Sequence, residues 1–255
     1  MNNTVGIMGC GWLGTPLALS LLKKGHVVKG TTTQIMKLQE LRDAGIDPYL
    51  VELKETFIHG GVDEFLKDLD VLIINIPPGL RKNPESDYPG RMELLLHTIQ
   101  KHNIEQLIYI SSTAVFEDRK EIPTYTESDA ANATDLKGQK LIAAEEKIIQ
   151  YPGSTTIIRP GGLIGGDRHP IQMLAGRDGV SNPDAPINLT DREYLIQLIL
   201  KVIEGEIEAP IFHAISEPHE DRKSYYEKTA QKFNLDKPEF EIGYTVGKKV
   251  VSEIY

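Results

Sequence analysis

Val5-Gly6-Ile7-Met8-Gly9-Cys10-Gly11-Trp12-Leu13-Gly14 decides the fold of this chain: a short β-rich run, glycines spaced Gly-x-Gly-x-x-Gly, and a helical pattern opening at Leu13. Gly9 permits a tight turn, Gly11 lets the backbone approach a pyrophosphate, and Gly14 lets the helix close on the strand. Backbone N–H groups are then left at the positive end of a helix, where an anion is stabilised. Gly9, Cys10, Gly11, Trp12, Leu13 and Gly14 are therefore candidate contacts to a dinucleotide. Trp12 would contribute its backbone N–H while its ring packs against neighbouring helices. The alternative is a plain strand-to-helix turn.

Outward from this loop, short β-rich runs alternate with helical patterns. Strands are expected at Val5 to Met8, Val27 to Gly30, Tyr49 to Leu53, Val71 to Ile74, Leu107 to Ile110 and Thr155 to Ile158. Helices are expected from Leu13, around Met36 to Ala44, Arg91 to Lys101 and Leu141 to Ile149. Such alternation implies parallel strands joined by crossover helices, hence an α/β, doubly wound parallel-sheet Rossmann fold with six strands accounted for. Val71-Leu72-Ile73-Ile74 is apolar at every position, as a strand covered on both faces must be.

After Arg159 the texture changes to a stretch crowded with Gly161, Gly162, Gly165, Gly166, Gly176, Gly179, Pro183 and Pro186. Helices at Glu193 to Ile203 and Tyr225 to Phe233, with a strand at Ile211 to Ile215, are too few for an independent large domain. The expected division is 1–160 as the Rossmann dinucleotide-binding domain and 161–255 as a small substrate lobe interleaved with the main sheet.

The formal charge of -9, from 28 basic and 37 acidic residues among 255, repels nucleic acid and anionic membrane as partners. The single cysteine, Cys10, can form no internal disulfide and no thiolate metal cluster. With no basic patch and apolar run after Met1-Asn2-Asn3-Thr4 and no stretch of a membrane span's length, a cytoplasmic protein is expected.

The second strand normally ends in an acid that binds the adenosine ribose, yet here it runs into Thr31-Thr32-Thr33, with no Asp or Glu before Glu40. Three hydroxyls, with Lys37 one helical turn on, would receive a ribose phosphate, which favours NADP over NAD. A solvated loop with a surface lysine is the competing reading. Ile76 and Pro77 at the end of the fourth strand, and Pro160 at the end of the sixth, are expected to flank the cofactor.

Ile110-Ser111-Ser112-Thr113-Ala114-Val115-Phe116 and Arg159-Pro160-Gly161-Gly162-Leu163-Ile164-Gly165, following the glycine loop in order, resemble the extended short-chain dehydrogenase/reductase superfamily in its NAD-dependent epimerase/dehydratase branch. Asn188-Leu189-Thr190-Asp191 and Arg168 echo it further. The resemblance implies a Ser or Thr facing a Tyr-x-x-x-Lys dyad on a helix, and places Ser112 in the Ser/Thr slot. The dyad is missing. Counting back from Ala143-Ala144-Glu145, its slots hold Lys137 and Leu141; an alternative register gives Leu136 and Lys140. Tyr125, expected on a loop, and Lys137 are the remaining acid-base candidates.

The glycine loop also resembles that of β-hydroxyacid dehydrogenases, but nothing after Arg159 looks like their long helical second domain. The segment before Tyr255 stops where relatives commonly run on. Seven histidines without paired ligand spacing predict no metal. His169, beside Arg168, is a candidate substrate contact with it. Two functions follow. One is an NAD(P)-dependent oxidoreductase or epimerase/dehydratase-like enzyme acting on a small hydroxyl or ketone metabolite, with a nucleotide sugar among the candidates. The other is a non-catalytic NAD(P)-binding sensor or scaffold. A homodimer is left open.

Overall fold

The computed structural model describes residues 2–80 and 83–254; Met1 and Tyr255, which bear on the readings of the two chain ends, lie outside them. The order of elements is β1 (Thr4–Met8), α1 (Gly14–Lys23), β2 (Val27–Thr32), α2 (Lys37–Asp43), β3 (Asp47–Leu53), β4 (Ile58–Gly60), α3 (Val62–Leu66), β5 (Val71–Ile74), α4 (Tyr88–Ile99) and β6 (Gln106–Ile110). It continues with β7 (Thr124–Tyr125), α5 (Leu136–Ile148), β8 (Ser154–Pro160), β9 (Gly162–Ile164), α6 (Ile171–Leu174), β10 (Leu189–Asp191), α7 (Arg192–Ile203), β11 (Ile211–Ala214), α8 (Arg222–Lys232) and β12 (Lys249–Val250).

The main sheet runs β11-β8-β6-β5-β1-β2-β3-β4 and is parallel except at its β3/β4 edge. The mostly parallel Rossmann architecture expected from the alternation is therefore present, with eight strands in this sheet rather than six. The first added strand, β4, is three residues long, too short to carry a period-2 signal. The second, β11, belongs by sequence to the segment 161–255 expected to interleave with the main sheet; it pairs Ile211 to Ala214 with Ile157 to Pro160 and closes the other edge.

Two cores sandwich this sheet. On one face Phe65, Leu66, Met92, Leu95, Ile99, Leu141, Ala144 and Ile148 pack as one cluster. On the other, Leu17 and Leu21 of α1 meet Leu195, Ile196, Leu198 and Ile199 of α7. β5 is buried at all four positions, as its unbroken apolar run requires. Ile171, Ile187, Leu189, Tyr226 and Ala230 form a third, smaller cluster joining α6 and α8. β9 pairs with β10, and β7 with β12.

Register fixes where the site lies. Met8 pairs with Ile74, Ile74 with Tyr109, and Ile110 with Ile158. The glycine loop, the Asn75 to Gly79 segment, the Ser111-Ser112 turn and the end of β8 thus all leave the sheet at its carboxyl edge, where ligands of open α/β sheets sit.

Candidate functional site

Each glycine of the loop has a distinct job. Gly9 has φ 112°, and a Cβ there would lie 2.6 Å from Asn75 O. A Cβ on Gly14 would fall 2.1 Å from Gly9 O. These two glycines let backbone pack on backbone. A Cβ on Gly11 would meet nothing within 4 Å, so that position faces open space.

Four helices, α4, α5, α7 and α8, carry an aspartate N-cap, from Asp87, Asp135, Asp191 and Asp221. α1 has Leu13 in that place and no side-chain cap. The N–H groups of Trp12, Leu13 and Gly14 find no acceptor among the described residues. A helix that leaves its positive end uncapped beneath open space fits a dinucleotide pyrophosphate.

The loop is buttressed from behind. Thr31 Oγ1 accepts from Gly9 N at 3.0 Å, Thr31 O accepts from Cys10 N at 2.8 Å, and Asn75 Nδ2 donates to Gly9 O at 3.2 Å. Cys10 is buried against Gly30, and desolvation pushes its thiol up to about 12, against a smaller opposing pull from the Lys37 charge. Of the three threonines expected to receive a phosphate, Thr31 is buried and committed to Gly9, and buried Thr32 accepts from Gln34 N at 3.1 Å. Thr33 is exposed and Lys37 is half-buried.

Beside the loop, Ile76 and Pro77 follow β5, and Ile76 O accepts from the Tyr88 hydroxyl at 3.2 Å. Pro160 is buried as the last residue of β8, paired with Ala214, so it presents little surface to a ligand. Asn75 is a loop contact that the sequence reading missed. Its signal was available: it is the first polar residue after an all-apolar central strand.

Ser112 N-caps the short 3₁₀ turn Thr113–Val115, its Oγ accepting from Ala114 N at 3.1 Å. Because that bond uses an oxygen lone pair, the hydroxyl proton remains available to a ligand oxygen. Ser111 points elsewhere, donating to Glu145 Oε1 at 2.5 Å. Glu145 in turn holds Arg159, 2.7 Å from Nη2, in an ion pair whose side chains are 5% and 6% exposed. Arg159 also lies over the Phe116 ring at 5.2 Å.

α5 carries the positions that the resemblance offers for the dyad. A Cβ on Gly138 would lie 2.8 Å from Ala114 O, so α5 presses directly on the Ser112 turn. Lys137 is exposed, Leu141 is buried, and Lys140 donates to Pro84 O at 2.6 Å and Ser86 O at 2.9 Å. Tyr125, expected on a loop, is instead buried in β7. Its hydroxyl donates to Glu117 O and accepts from Asn132 Nδ2, both at 3.2 Å, while its ring stacks on Phe116 at 4.5 Å.

His169 is also committed. Its Nδ1 accepts from Ile171 N at 3.1 Å, which leaves Nε2 to donate to the Tyr225 hydroxyl at 2.9 Å. Burial, and secondarily the Lys232 charge, lower its pKa below the usual histidine value. Arg168 stands apart from it, with its guanidinium 5.0 Å from the Trp12 ring centroid. Arg192, which the sequence reading did not single out, lies 4.9 Å from the same ring. Trp12 packs against the cluster formed by α1 and α7, as expected, and meets two arginines as well.

A family model described as NAD(P)H-binding matches residues 9–201. Protein YeeZ of Escherichia coli (strain K12) is 30% identical over 248 residues, covering 96% of this chain and 89% of that protein. Among solved structures, MoeE5 in complex with UDP-glucuronic acid and NAD superposes with a TM-score of 0.76 at 14% identity, over 98% of this chain and 90% of the other. UDP-glucuronic acid 4-epimerase from Bacillus cereus, in complex with NAD, gives 0.75 at 16% identity and the same coverages. A putative NAD-dependent epimerase/dehydratase from Methylobacillus flagellatus gives 0.74 at 18%, covering 98% and 89%. At these identities the structural likeness speaks to fold. No helix among the described residues is long and apolar enough to cross a membrane.

Proposed function

Because the chain belongs to the NAD(P)H-binding family, whose model covers its residues 9–201, we propose that it is an NAD(P)-dependent enzyme of oxidoreductase or epimerase/dehydratase type. Its substrate on this reading is a small metabolite reacting at a hydroxyl or ketone carbon, with a nucleotide sugar among the candidates. One observation carries the proposal: the uncapped start of α1 beneath open space at Gly11 shares a sheet edge with the Ser112 hydroxyl.

Bound nicotinamide would accept or return a hydride; the remaining work falls to this chain. The N–H groups of Trp12, Leu13 and Gly14 hold the pyrophosphate, and Gly11 leaves room for it. Thr33, just after β2, and Lys37, at the start of α2, would hold a ribose phosphate, a cation and a hydroxyl that favour NADP. Ser112 donates its proton to the substrate oxygen, its own oxygen steadied by Ala114 N. Tyr125, with both sides of its hydroxyl engaged, does not take the place of the family tyrosine. Lys137 is exposed at the start of α5.

A second reading is favoured by the missing tyrosine: its slot holds Lys137 in one register and Leu136 in the other, and Leu141, the lysine slot of the first, is 2% exposed. On that reading the chain binds the dinucleotide as a sensor or scaffold without turnover. Calorimetry with NADP and NAD, followed by a screen of ketones, alcohols and nucleotide sugars read by reduced-nicotinamide absorbance, separates the cases. Binding with turnover is expected. Binding without turnover on any compound would favour the sensor, and binding of neither dinucleotide would overturn both.

A further inference from the structure

β11 is the last strand at its edge of the main sheet, and residues 247–253, which include β12, run beside it. These residues lie across two other parts of the fold. Gly247 exchanges backbone hydrogen bonds with Arg119 at 2.9 and 3.0 Å, Lys249 N donates to Pro123 O at 2.9 Å, and Val251 N donates to Tyr125 O at 3.0 Å. Lys248 Nζ donates to Phe116 O. From the other side the Asn188 amide accepts from Val250 N and donates to Lys248 O, both at 2.8 Å. The segment is thereby a strap joining the loop that leaves the Ser112 turn to the entry of β10.

Its seat on β11 depends on one residue. His213 N donates to Glu127 Oε1 at 2.9 Å, and His213 Nδ1 donates to Val251 O at 2.9 Å, which makes Nε2 the unprotonated nitrogen of the neutral ring. Glu127 also accepts from Ser252 Oγ at 2.6 Å and Glu253 N at 3.0 Å, so one carboxylate bridges strand and strap. The imidazole is fully buried, with the Phe116 ring edge-on at 5.2 Å. The charges that face it are Glu127 from the loop, Arg159 from β8 and Glu145 from α5. Burial is the main influence and holds the His213 pKa below the usual histidine value; the Val251 O bond and both carboxylates pull it back, and Arg159 adds to the lowering. Burial works to raise the Glu127 carboxyl, but the bonds from Ser252, His213 and Glu253 outweigh it and hold that group below the usual carboxylate range. Glu127 therefore stays charged while a histidine titrates.

We infer that residues 247–253 form a pH-gated strap, seated on β11 while His213 is neutral and released on acidification by proton uptake at that imidazole. Release exposes the ring to water, where it regains ordinary histidine affinity for a proton, so the open form binds a proton that the closed form does not. As pH falls from the ordinary histidine value to the lower value of the closed form, the ratio of open to closed rises by up to about tenfold per pH unit, then levels off. Opening frees Phe116 O from Lys248 and Tyr125 O from Val251, which loosens the loop following Ser112. The gate holds whether or not the chain binds a dinucleotide.

Hydrogen exchange of the full chain tests it, followed at the amides of Val250, Val251 and Glu253 between about pH 7.5 and about pH 5, the span in which histidine ordinarily titrates. Rates are divided by those of unstructured peptide, so that the pH dependence of exchange chemistry drops out. Strap protection in wild type should fall on acidification with a slope approaching tenfold per pH unit, while Leu72 and Ile73 of β5 stay better protected throughout. His213→Asn keeps an amide N–H near the place of Nδ1 and cannot titrate, so its strap protection should be flat; His169→Gln should keep the wild-type slope. Glu127→Gln should lower strap protection about tenfold or more already at the upper pH. Thermal melts establish that each variant is folded, and if His213→Asn is not, the wild-type imidazole is titrated by NMR and must change protonation over the window in which the strap opens. Strap protection independent of pH, the wild-type slope in folded His213→Asn, opening outside the His213 titration, or exchange of the strap only together with β5 overturns the gate.

Discussion

Gly11→Val separates binding from folding more cleanly than any other change in the loop. Gly11 has no positive φ, and a Cβ built on it meets no atom within 4 Å, so valine costs the folded chain little. Exposed substitutions of this kind usually stay within about 0.5 kcal/mol, a shift of roughly 1 to 2 °C for a domain of this size. The same side chain occupies the space above the N–H groups of Trp12, Leu13 and Gly14. Displacing a pyrophosphate from two of these donors forfeits two charge-assisted hydrogen bonds of about 1.5 to 3 kcal/mol each. The loss is about 3 to 6 kcal/mol, or roughly 10²- to 10⁴-fold in dinucleotide affinity. Gly14→Ala makes the contrast, because its methyl would lie 2.1 Å from Gly9 O, a backbone atom that cannot rotate away. Overpacking there costs about 1 to 3 kcal/mol and several degrees of melting temperature. Isothermal calorimetry and thermal denaturation on the same preparations decide the matter. A folded Gly11→Val protein that binds NADP or NAD as tightly as wild type would refute the assignment of the loop.

Lys37→Ala is expected to weaken NADPH about tenfold more than NADH, the 1.4 kcal/mol of one charge-assisted contact, as measured by direct competition; equal losses would sink the NADP preference. Stability should fall as pH drops below the ordinary histidine range, because burial holds the His169 pKa down and the unfolded chain then binds more protons than the folded one. The contribution is complete above the unfolded pKa and lost through the window between the unfolded and the lower folded value. His213 is depressed by burial in the same direction, so His169→Gln should reduce the slope of melting temperature against pH without abolishing it; an unchanged slope would show that His169 contributes nothing. Once a substrate is identified, Ser112→Ala should slow turnover at least tenfold while Tyr125→Phe stays within a few-fold, and a hundredfold loss in Tyr125→Phe with intact cofactor binding would mean the buried tyrosine is catalytic.

Much of the fold was legible because its strands and helices are long enough to show a period. The apolar run of β5 and the glycine loop placed each other, and the stripe Leu195, Ile196, Leu198, Ile199 gave α7. What escaped was short or non-local. β4 has three residues, and β7 and β12 have two each, paired across more than a hundred residues of sequence. Within the site, Thr31 reads as an available hydroxyl, and only the pairing of β1 with β2 turns it inward to Gly9 N. Arg192 follows a capping Asp191 and reads as a surface residue opening a helix. Its approach to Trp12 arises from the packing of α7 on α1, a tertiary relation with no local signature.

Two registers for the dyad helix are equally readable in sequence, and packing fixes where the residues of both lie. Gly138 lies against the turn that Ser112 caps, where a side chain would meet Ala133 Cβ at 2.2 Å and Ala114 O at 2.8 Å. Seven residues on, Glu145 is locked to Arg159 and Ser111. Sliding the helix by one residue would put a Cβ into the first contact and strip Arg159 of its carboxylate, and breaking such a buried pair costs about 3 to 5 kcal/mol. Lys140, the lysine of the second register, is already bound to the carbonyls of Pro84 and Ser86. In either register the position that the resemblance gives to tyrosine holds Lys137 or Leu136, and neither is a phenol. On the enzyme reading, the helix keeps its seat against Ser112 while the groups that would lower a phenol's pKa are gone. Proton delivery then falls to the Ser112 hydroxyl and solvent, and the reactions favoured are those whose carbonyl needs little acid assistance.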